Sequence, residues 1–160
     1  MKMDGQIRVK TDGRYSKIYN DLKKLVVVGD FHELFFVCAC LGYKRNKHKS
    51  LGKTRDDRFW SNTINPREWA CYYAMLLEEN NMDFFAIQDD KSVIARIEEY
   101  ANAGMEVLID EFLGDYLISS AGDQQLDPGC SKELPKQFLH FVFEQIDTGI
   151  DSSNETNSSS

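Results

Sequence analysis

From Val93 to Phe112, the residues Val93, Ile97, Tyr100, Ala101, Met105, Leu108, Ile109 and Phe112 recur at close to 3.6-residue spacing. That spacing turns one apolar face to the same side of an α-helix over about six turns, and such a face has to be covered by other elements. Gly104 interrupts the stripe. A glycine inside a helix costs on the order of 1 kcal/mol against alanine, so its presence predicts a close backbone contact with a second helix.

The rest of the chain supplies helices to do the covering. Ile18, Leu22, Leu25 and Val26 lie at i, i+4, i+7 and i+8 within residues 15–26. Asp30 and Glu33 have the spacing of a capping box for a second helix, apolar almost all round from Leu34 to Leu41, with Gly42 expected to end it. Asn65, Pro66 and Glu68 mark a third start, and Trp69, Tyr72, Tyr73, Leu76 and Leu77 give that helix its apolar face. Leu134, Phe138, Phe141 and Val142 repeat the pattern near the end of the chain. The expected class is all-α or mainly α: one compact domain of about five helices over residues 1–146, with residues 119–130 as an internal linker and 147–160 as a disordered Ser/Asn tail.

At 42% hydrophobic and 12% aromatic residues, the chain can bury a core. No apolar run approaches the roughly 20 residues of a membrane span and residues 1–10 lack a secretion signal, so the expected location is cytoplasmic. Four unevenly spaced cysteines, Cys38, Cys40, Cys71 and Cys130, do not make a disulfide framework and are expected to be reduced thiols.

Sites of chemistry are sparse. Cys38 and Cys40, with His32 and His48 nearby, lack the second ligand pair of a structural zinc site. The acid pairs Glu98-Glu99 and Asp110-Glu111 read as solvated helix surface, and there is no phosphate-binding glycine loop, nucleophile elbow or metalloprotease helix. The expectation is a protein without catalytic residues, cofactor or metal.

Charge is the strongest local signal. Lys44, Arg45, Lys47, Lys49, Lys53, Arg55 and Arg58 stand against only Asp56 and Asp57 between residues 44 and 58, whereas the remaining chain holds twelve more acids than bases. A loop of this kind can follow a phosphate backbone, with Trp60 just beyond it placed to stack on a base, or it can dock on an acidic protein. DNA and a partner subunit are therefore the two expected partners. A protein–protein adaptor without DNA contact and a concealed metal-dependent nuclease are the alternatives.

Three stretches add a family resemblance. They are residues 30–36 running into Ala39-Cys40-Leu41-Gly42-Tyr43-Lys44-Arg45, the basic turn to Leu51, and the helix from Ile97-Glu98-Glu99-Tyr100-Ala101-Asn102 to Leu108. Together they resemble the Dnd (DNA phosphorothioation) system-associated protein four family, over residues 15–118. The resemblance implies a bacterial antiviral defence setting and an accessory subunit of multi-component machinery that distinguishes sulfur-marked DNA from invading DNA. It implies no catalytic residue.

Overall fold

The computed structural model describes residues 6–25, 27–120 and 123–157. In chain order these form β1 (Arg8–Asp12), α1 (Ser16–Lys24), α2 (Phe31–Lys44), β2 (Arg55–Trp60), α3 (Pro66–Glu79), α4 (Asp90–Glu111), β3 (Leu117–Ser120), β4 (Asp123–Leu126) and α5 (Leu134–Asn157). The fold is mainly helical. The five α-helices among the described residues meet the expectation of about five, and the two small antiparallel sheets, β1 with β2 and β3 with β4, correct it from all-α to mainly α.

The centre is the crossing of α2 and α4, where backbone meets backbone. A Cβ on Gly104 would lie 1.6 Å from the carbonyl oxygen of Cys38, and one on Gly42 would lie 2.1 Å from that of Tyr100. No side chain fits at either position. The contact expected from Gly104 is present, but Gly42 does not end α2. The helix closes instead in a Schellman turn: Asn46 has φ 54°, the Lys47 amide donates to the Gly42 carbonyl (2.8 Å) and the Asn46 amide donates to that of Tyr43 (3.0 Å).

Caps divide in the same way. Asn65 and Glu68 form a reciprocal capping box at α3. Asp30 makes no side-chain cap at α2, because Glu33 reaches past it to the Gly29 amide (2.9 Å).

Around the crossing pack the fully buried Tyr19, Phe35, Tyr72, Ile97, Met105 and Leu108. The first sheet closes one side, with Val9 paired to Phe59 and both turned inward. Phe59 meets Phe35 edge-on at 5.3 Å.

The internal linker expected at residues 119–130 is instead largely the β3–β4 hairpin, held to α1 where the Leu126 amide donates to Asp21 (3.1 Å). α5 then packs Phe138 and Phe141 against Phe112. Its backbone stays helical to Asn157, through most of the segment expected to be a disordered tail; residues 158–160 lie outside the described residues. Extending an existing helix fixes one residue for each added hydrogen bond, so propagation is far easier than nucleation even for Ser and Asn. No helix among the described residues is long and apolar enough to cross a membrane.

Candidate functional site

The basic segment is largely ordered by contacts with the body, and several of its cations are engaged there. Lys44 is the last residue of α2 and its ammonium donates to the Gln145 carbonyl. Arg45 holds Glu111 through two parallel bonds (Nε to Oε1 3.0 Å, Nη2 to Oε2 2.7 Å) and also donates to Gln145 Oε1 (2.8 Å). Lys49 pairs with Glu106 at 2.6 Å. Burial alone would raise the Glu106 carboxyl, but Lys49 and the Tyr15 hydroxyl hold it below the usual range.

Arg58 is the clearest correction. It lies in β2 with 8% of its surface exposed, donating to Thr11 Oγ1 (3.0 Å), Asn20 Oδ1 (3.3 Å) and Ser16 Oγ (2.9 Å). Its guanidinium also lies over the rings of Tyr19 and Phe31. The residue sits at the β-bulge between the Val9–Phe59 and Lys10–Asp57 pairs, where strand alternation is interrupted, and so it is buried along with Phe59 and joins the core instead of solvent. Arg55 is on the same strand, exposed, and donates to the Gly52 carbonyl.

Lys47 and Lys53 are exposed as expected, yet the backbone that carries them is pinned. Asn102 donates to the carbonyls of Lys49 and Ser50, Asp12 accepts from the Gly52 amide, and the Thr54 carbonyl accepts from Gly13. Trp60 is 37% exposed and the Arg8 guanidinium sits 3.9 Å from its ring centroid, so one face is already covered. The segment is a fixed rim with three outward cations.

The other residues singled out by sequence do not converge. Burial pushes the thiols of Cys38 and Cys40 up to about 12, as for thiols packed among apolar side chains. His32 hydrogen-bonds Glu68 (2.8 Å), while His48 lies beside Arg96 and Glu99. Of the paired acids, Glu98 accepts from the Lys10 amide and Glu111 from Arg45. Asp30, His32 and Glu33 are the one grouping of three candidate ligand atoms within 4.8 Å of one another among the described residues, and Glu33 and His32 are already bonded elsewhere.

A polar cleft lined by Tyr43, His48, Glu78, Glu79, Arg96 and Tyr100 follows the start of the segment. The Arg96 guanidinium holds Glu79 below the usual carboxylate range, helped by the Tyr100 hydroxyl (2.7 Å). Glu79 and Arg96 are paired within the cleft.

The surface that sequence missed is apolar. Between α2 and α5 runs a groove of about 290 Å³ with Phe36, Val37 and Cys40 on one wall, Val142 and Ile146 on the other, and Lys44 at its edge. Beside it Leu139, Phe143 and Ile146 are 58%, 62% and 53% exposed. At 3.6 residues per turn, the apolar residues of α5 from Phe141 through Phe138, Val142 and Ile146 to Phe143 cover an arc of roughly 200°, about twice what one buried face needs. The body fills only the side that carries Leu134, Phe138 and Phe141. The signal was present in the i, i+4, i+7 spacing of Leu139, Phe143 and Ile146, next to the pattern that placed the helix.

Compared with family models, curated proteins and solved structures, the chain matches none of them.

Proposed function

We propose that this chain is a non-catalytic protein-interaction module whose working surface is the α2–α5 face, the adaptor reading of an accessory subunit. The observation that carries it is the second apolar side of α5, contiguous with the groove. Exposed apolar patches of this kind mark sites of interaction, protein contacts among them. The basic rim is then secondary: with Lys44, Arg45, Lys49 and Arg58 engaged inside the molecule, Lys47, Lys53 and Arg55 offer few phosphate contacts. The defence setting implied by the resemblance accords with a module of a multi-subunit assembly.

The test pairs two assays on one set of proteins. Tagged wild type purified from its native host should retain a stoichiometric protein partner, and Phe143→Glu should lose it with an unchanged melt. DNA affinity at about 50 and 200 mM salt should be weak and shallow in salt, since each neutralised phosphate contributes close to one unit of slope. Strong, salt-steep binding that disappears on reversal of Lys47, Lys53 and Arg55 would return the function to DNA.

A further inference from the structure

Resting on the interaction-module reading, we infer that the occupant of the α2–α5 face is a second copy of this chain, docked about a twofold axis with the two α5 helices side by side. The face carries both halves of a helix-in-groove contact. Leu139, Phe143 and Ile146 form a protruding stripe at i, i+4, i+7, and the groove walled by Phe36, Val37 and Cys40 is the kind of surface that accepts such a stripe. A partner supplying only a helix would fill the groove and leave Leu139 and Phe143 wet, whereas a partner supplying only a groove would do the reverse. A twofold relation fills both at once, because each copy offers what the other lacks.

Area and charge agree with this choice. The stripe and groove occupy a patch two helices wide, roughly 20 Å by 20 Å from the helical rise and the usual interhelix spacing. That is about half of the roughly 800 Å² that a standard interface takes from each partner, the share expected of its apolar centre within a polar rim. The chain carries a net charge of -7, so two copies repel over most of their surface. Among the described residues the flank of this face has no such surplus: Lys44 and Lys136 stand there beside Glu33 and Glu144.

Light scattering coupled to size exclusion, supported by sedimentation at about 1 to 100 µM, the range of moderate affinities, reads the mass of the full chain directly. Wild type should run at twice the chain mass, and Phe143→Glu should halve it with an unchanged melting temperature. Leu139→Lys, at a second exposed position, guards against a folding artefact and should do the same. A wild type that stays monomeric at the highest concentration overturns the inference, as does a dimer indifferent to both substitutions. A monomer that still loses a different co-purifying protein on Phe143→Glu would sink the dimer and keep the interaction module. One that keeps that protein would sink both.

Discussion

The segment from Lys44 to Arg58 and helix α5 are the two surfaces richest in one residue character, and they differ in what the fold leaves unmet. In the basic segment, Arg58 disappears into the core, Arg45 and Lys49 find carboxylates, and the backbone is tied to Asn102 and Asp12. On α5 the reverse holds. One apolar side meets Phe112 and the core, and the other, with Leu139, Phe143 and Ile146, stays more than half exposed. A concentration of charge in sequence is thus a poor guide to available charge, because side chains five or more Å long can reach acids from distant elements. An apolar arc wider than a single buried face is harder to satisfy from within.

The strongest way to break the comparison is Arg58→Ala. If Arg58 belongs to the core, this substitution leaves Thr11, Ser16 and Asn20 without their donor and opens a cavity, at a cost of about 2 to 4 kcal/mol. Urea unfolding should report a loss of that size, and a change under 0.5 kcal/mol would return Arg58 to the solvent-facing set.

A smaller effect is expected at Glu98, which receives the Lys10 amide while lying largely out of solvent. Burial raises its carboxyl above the usual range, against the pull of Lys10 and Arg55. A raised carboxyl favours folding only while protonated. That contribution is complete below the unfolded-state value and disappears as pH rises through the folded one, so at neutral pH the buried charge is a burden. Glu98→Gln keeps an acceptor for Lys10 and removes the charge. It should stabilise the protein at pH 7, with the gain shrinking as pH falls through the raised folded-state value. Equal melting temperatures for both proteins at pH 7 would contradict the assignment.

The smallest effects belong to the outward cations. Lys47→Ala and Lys53→Ala should each change stability by less than about 0.5 kcal/mol, since neither side chain has an ion pair among the described residues. A larger loss at either would mean that the rim is more engaged than Arg45 and Lys49 make it.

Sequence periodicity carried most of the helical frame, because the stripes of α1, α3 and α4 are long enough to separate a period of 3.6 from chance. It even located the close approach at Gly104. The strands were harder to read. In β2, the run Arg55-Asp56-Asp57-Arg58 looks like solvent-exposed loop, and only the bulged pairing with β1, from more than 40 residues away, turns Arg58 inward onto the Thr11 hydroxyl. The β3–β4 hairpin was taken for a linker because Ser119, Ser120, Asp123, Gln124 and Gln125 have little intrinsic strand preference. Its packing on α1 is a tertiary fact. At the candidate site, nothing local separates Arg58 from Lys53, while the exposed stripe of α5 was visible as spacing and was overlooked beside the buried one.

The glycine contact between α2 and α4 also sets how the molecule opens. With Gly104 against the Cys38 carbonyl and Gly42 against that of Tyr100, neither helix can rotate or slide by a fraction of a turn without a main-chain collision. Partial openings that preserve one helix and loosen the other are therefore costly. The amides at the centres of α2 and α4 should exchange with solvent deuterium only through global unfolding, at one shared free energy, whereas α5, seated mainly by side chains, should exchange through its own cheaper detachment.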